Sequence, residues 1–424
     1  TKGGLAGVDN GTLMFDHVRV SRRMLLNRYG GVSDQGVYES PIDNPDRRFF
    51  TMLGTLVRGR ISIAAGGGVV ARKALSIATR YAVARRQFSA PGHDGEVLLI
   101  DYLAHQRKLL PAIATSYAMM FAQNELTERL QELHEAPEKD QEAQRELETR
   151  AAGMKAMSTR FGNDTAQMCR EACGGAGYMA ENGLTVLRQD ADVFATFEGD
   201  NTVLLQLVAK ELLTGYRDHF GELDIVGTAL FIGEQVVDTV VERAGGRRLL
   251  QRLRDVTPSS GEDGGIHDRD WHIEMFDYRQ KHLLETLARR LRKAAGAEDP
   301  FTVFNAAQDH LLTAARAHID GVLLAAFVHG IESMPEGPER ELLISLCDLF
   351  ALSTIEAERG WFQEHGLLTG ARSKSVIAAV NEICAAIRPH ARVLVDGFGV
   401  PDSAISAPIA WPADVPEASG RPEG

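Results

Sequence analysis

The stretch Phe194-Ala195-Thr196-Phe197-Glu198-Gly199-Asp200-Asn201-Thr202 sets one carboxylate among aromatic and β-branched neighbours, directly before a glycine and the apolar pattern Thr202-Val203-Leu204-Leu205-Gln206-Leu207-Val208. A carboxylate crowded by Phe194 and Phe197 loses hydration on folding, which raises its pKa towards the working range of a general base. Glu198 is therefore the candidate catalytic residue. The plain alternative is a turn or capping acid, because Glu-Gly-Asp-Asn before an apolar run also describes an ordinary helix start.

Working outward, Cys169-Arg170-Glu171-Ala172-Cys173-Gly174-Gly175-Ala176-Gly177-Tyr178 lies upstream, joined to Glu198 by a stretch rich in polar and turn-forming residues. Further upstream stands Arg80-Tyr81-Ala82-Val83-Ala84-Arg85-Arg86-Gln87-Phe88, followed by Asp101-Tyr102 and Gln106-Arg107-Lys108-Leu109. Between these motifs the pattern is helical. Phe49, Met52, Leu53, Leu56, Val57, Ile61 and Ala64 recur at three- and four-residue spacing, and the apolar face resumes at Val69 and Val70 after the glycines at 66 to 68. A phosphate-cradling glycine loop needs a strand before it and a helix after it; helical pattern on both sides points to close helix packing instead. The spacing predicts a second helix over 98–133, a third over 148–173 ending at Gly174-Gly175, and a fourth from Asn201 to about Gly215, which together make a four-helix bundle. The charged stretch from Glu125 to Arg150, with Pro137 at its middle, reads as a solvated excursion.

These motifs, in this order, resemble those of the acyl-CoA oxidases. In that family CREACGG-x-GY precedes a TFEG-[DE]-NTV segment whose glutamate is the catalytic base, and an RRQF turn contacts the flavin. The resemblance runs from about Gly7 to about Ser406, weakens after residue 216, and recurs in Asn305-Ala306-Ala307-Gln308-Asp309 and Leu394-Val395-Asp396-Gly397-Phe398. It implies a mainly α fold: the C-terminal four-helix bundle of the acyl-CoA dehydrogenase type, then a second helical domain, with a short β remnant at the N-terminus. The divisions are 1–40 as the end of a middle β-domain, 41–216 as the flavin-binding bundle, 217–408 as the oxidase-type helical domain and 409–424 as a disordered, proline-containing tail.

The resemblance also implies a chemistry, the α,β-dehydrogenation of an acyl-CoA to a trans-2-enoyl-CoA in fatty acid β-oxidation. Glu198 removes the α proton, FAD takes the β hydride, and O2 takes the electrons to give H2O2. Arg85 suits the flavin pyrophosphate, because a guanidinium forms paired bonds to phosphate oxygens, and Gln87 and Phe88 address the adenine side. Gly174 and Gly175 admit backbone close to a second subunit's flavin, so a homodimer with a shared flavin site is implied. Asp200 joins the cofactor set, and as an acid where ordinary acyl-CoA dehydrogenases carry threonine it favours the oxidase branch. Gly199 and Arg60 fall at substrate positions, with a helix-surface salt bridge as the alternative for Arg60. Two other readings stay open, a dehydrogenase passing electrons to an electron-transfer flavoprotein and a noncatalytic helical scaffold.

Composition is compatible with this. The chain has 424 residues, 44% hydrophobic and 25% charged, enough for two domains. Lys plus Arg total 46 against 58 Asp plus Glu, and the net charge of −12 argues against nonspecific nucleic-acid binding. No apolar run approaches the roughly 20 residues that span a bilayer, so a cytoplasmic protein without a membrane span is expected. The four cysteines, 169, 173, 347 and 384, form no CxxC pair and no zinc-type ligand set; buried small residues are the simpler reading. His310, His318 and His329 lie along one predicted helix, where residues nineteen apart cannot meet on one metal. The chain begins with Thr1, and the alternating stretch Gly7–Val20 reads as a strand with nothing upstream to pair with, as in the C-terminal part of a longer protein. The clearest linker is Val256 to Gly265.

Overall fold

The computed structural model describes the chain apart from residues 1, 46–47, 49–51, 53–55, 93–94, 138–139, 221–264, 293–296 and 412–424; side chains 141 and 215–220 are likewise left aside. The linker expected at 256–265, the start of the first helix at Phe49 and most of the tail thus lie, wholly or in part, outside the described residues. The fold is mainly α, as expected. Four long helices form the bundle: α1 (Leu56–Ala82), α2 (Leu103–Glu135), α3 (Gln141–Ala172) and, after the short α4 (Gly174–Tyr178) and α5 (Leu184–Asp192), α6 (Asn201–Phe220). The remainder comprises α7 (Arg269–Leu291), α8 (Pro300–Ala306), α9 (Gln308–Glu332), α10 (Pro338–Ala357), α11 (Arg359–Glu364), α12 (Gly370–Ile387) and α13 (Ala391–Asp396).

The glycines at 66 to 68 do not interrupt α1; Gly67 lets α3 approach it, Gly66 faces the Phe194 ring and Gly68 open space. A Cβ on Gly67 would sit 2.7 Å from the Ser158 carbonyl oxygen, and one on Gly162 would sit 2.6 Å from the Gly67 oxygen. Ser158 Oγ donates to the Ala64 carbonyl at 2.8 Å in the same contact. The charged stretch 125–150 is not an excursion. Helix α2 continues to Glu135 and α3 starts at Gln141, capped by Asp140. Ion pairs within and between the helices, Arg150–Glu146 and Arg150–Glu125, place those charges on their outer faces.

The later helices close over the bundle. One continuous cluster of buried side chains runs from Val57 and Leu110 through Trp271 and Phe327 to Val395. Arg107 pairs both carboxylate oxygens of Glu356 at 2.6 and 2.7 Å, and Arg80 donates to Asp396 at 2.7 Å and Asp402 at 3.1 Å. Arg80 also lies under Trp411, 4.3 Å from its ring centre. Residues 408–410 form a one-turn 3-10 helix with Ala410 buried, so residues 409 to 411, assigned to the tail on sequence, are ordered against α1.

Two other expectations fail. The Gly7–Val20 stretch forms no strand and leaves Leu13, Met14, Phe15, Val18 and Val20 exposed. A strand needs a partner ladder, and no described strand lies beside it. The strands that do form are small antiparallel pairs: β1 (Gly31–Val32) with β2 (Tyr38–Glu39), and β3 (Arg86–Ser89) with β4 (Glu96–Leu98). The apolar-run test also passed over α1 and α9, which are long and apolar enough to cross a membrane because small residues and a few charges interrupt their apolar stretches. Of those apolar windows 56% and 50% is buried inside the fold, the situation of bundle-core helices. All four cysteines are free and buried, and burial pushes the Cys173 and Cys347 thiols up to about 12.

Gly67→Ala should lower the unfolding free energy by about 1–3 kcal/mol, because the new methyl meets backbone that cannot swing aside. Chemical denaturation checks this; an unchanged or raised midpoint would show that α1 and α3 do not touch there.

Candidate active site

The loop that carries Glu198 enters from α5 through a one-turn 3-10 helix, Val193–Ala195, and leaves into α6. The Phe194 and Phe197 rings pack in a tilted pair, centres 5.3 Å apart, and the Phe194 ring rests against Gly66, where a Cβ would be 3.3 Å away. Glu198 and Gly199 both have left-handed backbone, φ +57° and +105°. For a non-glycine residue such a conformation costs on the order of 1 kcal/mol and persists only where its surroundings impose it. The helix start that could have claimed Glu198 uses another acid. Asp200 accepts from the Thr202 and Val203 amides at 2.8 and 3.4 Å and so caps α6.

The Glu198 side chain is half-buried, and its Oε2 is a buried acceptor with no hydrogen-bond partner. It lies against α1 at a gap left by Gly59, where a Cβ would meet Oε2 at 2.7 Å and Oε1 at 2.9 Å. Arg60 Nε donates to the Glu198 carbonyl oxygen at 3.3 Å. Burial pulls the Arg60 guanidinium below its usual range, with Glu198 and Glu148 opposing the shift. Beneath the loop, Lys155 of α3 donates to the Gly199 carbonyl at 2.7 Å and to Asn201 Oδ1 at 3.0 Å. The sequence singled out Glu198, Gly199, Asp200 and Arg60, and the fold brings these together. It passed over Gly59 and Lys155, whose contacts join positions about 140 and 44 residues apart; Lys155 offered one signal, an isolated cation in the otherwise uncharged, mostly small-residue stretch Ala151-Ala152-Gly153-Met154 to Ala156.

The other expected residues sit elsewhere. Arg85 follows the last turn of α1, its amide donating to the Tyr81 carbonyl at 2.8 Å. Its side chain is exposed and makes no ion pair among the described residues. Gln87 and Phe88 are exposed on β3, Phe88 in left-handed backbone with φ +62° at an irregularity in the ladder; the Tyr102 hydroxyl donates to the Gln87 carbonyl at 2.8 Å. Gly174, φ +57°, and Gly175 face open space. They belong to the same end of the molecule: Asn182 accepts from the Ile409 amide at 3.2 Å, and Trp411 covers Arg80. Gly59 and Ala82 are 23 residues apart on α1, about 35 Å at 1.5 Å per residue. The Glu198 group and the Arg85 group therefore occupy opposite ends of one helix.

Three histidines suspected of nothing chemical have ordinary neighbours. His318 pairs with Gln280 at 2.9 Å, His310 with the Thr286 hydroxyl at 3.2 Å, and His329 with Glu125 at 2.8 Å.

The Acyl-CoA oxidase, C-alpha1 domain profile matches residues 53–213, and the Acyl-CoA oxidase profile matches residues 268–411. The peroxisomal acyl-coenzyme A oxidase 2 of Arabidopsis thaliana is 35% identical over 413 residues, 97% of this chain and 58% of that protein. The acyl-coenzyme A oxidase-like protein of Mus musculus is 32% identical over 96% of this chain and 62% of its own length. The crystal structure of acyl-CoA oxidase 3 from Yarrowia lipolytica superposes with a TM-score of 0.79 at 29% identity, covering 97% of this chain and 57% of that one. The chain belongs to the acyl-CoA oxidase family. It spans a little over half the length of these relatives, 57–62%. The Arabidopsis thaliana relative, like the similar acyl-coenzyme A oxidase 3 of that plant and acyl-coenzyme A oxidase 2 of Rattus norvegicus, is named peroxisomal, a different compartment from the cytoplasm expected on composition.

Gly59→Ala should leave the fold's stability unchanged or slightly raised, since alanine favours a helix interior by about 0.5–1 kcal/mol over glycine and the clash falls on the end of a flexible side chain. The Glu198 carboxylate must then move. In the complete enzyme, kcat should fall with flavin content intact, and an unchanged kcat would show that Glu198 does not act from this position.

Proposed function

We propose that this chain supplies the catalytic base and the flavin-binding helical part of an FAD-dependent acyl-CoA oxidase, which converts an acyl-CoA and O2 to a trans-2-enoyl-CoA and H2O2. The observation that carries the reading is the Glu198 carboxylate, half-buried with an unpartnered Oε2 on a loop held in left-handed backbone, while Asp200 does the capping. A carboxylate freed from structural duty and relieved of part of its hydration is suited to taking the α proton of a thioester. The thioester oxygen gains negative charge as that proton leaves, and the Glu198 amide, which donates to no described residue, is one donor able to meet it. When bound, the flavin supplies the two-electron acceptor that O2 reoxidises with release of peroxide.

The residues suit the cofactor. Arg85 offers an uncommitted guanidinium to a pyrophosphate, Phe88 an exposed aromatic face at 67% exposure, and Gly174 and Gly175 backbone that nothing crowds. Because this set lies about 35 Å from Glu198 along α1, a flavin touching both draws them from two chains, which supports a homodimer with two shared sites. Asp200 acts here by positioning α6 rather than by reaching out, and Arg60 and Gly199 shape the loop that faces the thioester. A peroxide-forming reaction is as much at home in the peroxisome named for the relatives as in the cytoplasm expected on composition.

Glu198→Gln in the complete enzyme should retain bound flavin and lose turnover by about three orders of magnitude or more, read as flavin bleaching and peroxide release on adding a saturated acyl-CoA. Turnover near that of the parent would remove Glu198 from the role of base; bleaching by the parent without peroxide would move the protein to the dehydrogenases.

A further inference from the structure

Lys155 is one of the largest fully buried side chains in the protein, 0% exposed, yet it forms no ion pair among the described residues. Buried charges are ordinarily paired, because an ammonium removed from water is costly without a counter-ion. The hydrogen-bond acceptors of Lys155 are neutral, and both belong to the residues just after Glu198: the Gly199 carbonyl at 2.7 Å and Asn201 Oδ1 at 3.0 Å. Asn201 is fixed from the other side, its Nδ2 donating to the Ala156 carbonyl at 3.1 Å and to Thr159 Oγ1 at 3.0 Å, while the Thr159 hydroxyl donates to the Lys155 carbonyl at 2.8 Å. One turn of α3 thus grips both ends of a two-residue step, and the left-handed pair Glu198-Gly199 hangs from it.

We propose that Lys155 is a positioning residue for the catalytic loop, its buried ammonium holding the Gly199 carbonyl and Asn201 so that Glu198 stays in left-handed backbone with its carboxylate at Gly59. The proposal rests on the reading of Glu198 as the base. A neutral side chain of similar shape would spare the desolvation cost, so overall stability is not what the charge contributes. Its use is local, since a charge-assisted hydrogen bond is about twice as strong as a neutral one.

The charge is also conditional. Burial pulls Lys155 from its ordinary 10.5 down to about 8; the Asp200 and Glu198 carboxylates of the loop oppose this, and Arg60 of α1 adds to it. Below about pH 8 Lys155 is charged in both folded and unfolded chains, whereas between about 8 and 10.5 the folded chain binds fewer protons than the unfolded one. In that window this group makes stability rise with pH, even as the loop loses its charge-assisted bonds. A purely structural lysine would move activity and stability together; a positioning lysine moves them apart.

The test uses the complete flavoenzyme, with kcat, KM for a saturated acyl-CoA, flavin content and melting temperature followed from pH 6.5 to 9.5. The parent's kcat should fall threefold or more with a midpoint near pH 8, without a parallel fall in melting temperature attributable to this group. Lys155→Met should keep its flavin, hold KM within about threefold, lose kcat about tenfold or more at pH 7, and show no transition near pH 8. Its melting temperature should equal or exceed the parent's at pH 7 and lose that advantage as the pH rises past 8. A flat parent profile, or Lys155→Met within threefold of the parent's kcat, would overturn the proposal. Should Lys155→Met fail to fold, the parent's pH profile decides alone. Glu198→Gln run alongside separates the two claims: if it is inactive while Lys155→Met is normal, only the role of Lys155 fails, and if it is active the reading of Glu198 fails first.

Discussion

The close approach of α1 and α3 is the constraint on which the rest depends. At Gly67 and Gly162 the two backbones come so near that neither position tolerates a methyl group without displacing the other chain. Close contact of this kind fixes both the separation and the register of the pair, because side chains on either helix have nowhere to slide. With that register set, Gly59 of α1 and Lys155 of α3 stand on either side of one point in space, and the loop from α5 to α6 is laid across it. The same pair of helices, followed to their other ends, presents Arg85 and the Gly174-Gly175 turn.

The loop is held by unequal partners. Backbone carbonyls of Glu198 and Gly199 are taken by Arg60 and Lys155, the Asp200 carboxylate by the α6 amides, and the Asn201 side chain by α3. The Glu198 carboxylate stands apart with an unmet acceptor. Two cations near it, Arg60 and Lys155, spend their hydrogen bonds on the loop's carbonyls and not on the carboxylate. Left-handed backbone at a non-glycine residue, followed by left-handed Gly199, is a strained arrangement that persists only where its surroundings impose it.

Much of this was legible in the sequence. The mainly α bundle followed from three- and four-residue apolar spacing, the close helix packing at Gly67 from helical pattern on both sides of the glycines at 66 to 68, and the place of the candidate loop from Thr196-Phe197-Glu198-Gly199. The illegible parts share a cause, dependence on residues far apart in the chain. Gly59 matters because of a carboxylate 139 positions later, and Lys155 because of a carbonyl 44 positions later. Local pattern also misled where context decides: alternation at Gly7–Val20 describes a strand only if a neighbour supplies the ladder, and the charges between 125 and 150 lie on helix faces and not in a loop. Trp411 stands in a proline-bearing stretch with no periodicity, and its contact with Arg80, distant in the chain, ties it to the fold.

The central claim is that the two ends of the α1–α3 pair serve one site through two chains. Mixed dimers test it most directly. Glu198→Gln and Arg85→Glu chains, each inactive as a homodimer, would be combined as the complete protein with separable tags, and the isolated heterodimer assayed for peroxide formation with an acyl-CoA. The account expects about half the parent's activity per dimer, because one of the two sites then holds an intact Glu198 from one chain and an intact Arg85 from the other. A heterodimer as inactive as both homodimers would contradict it.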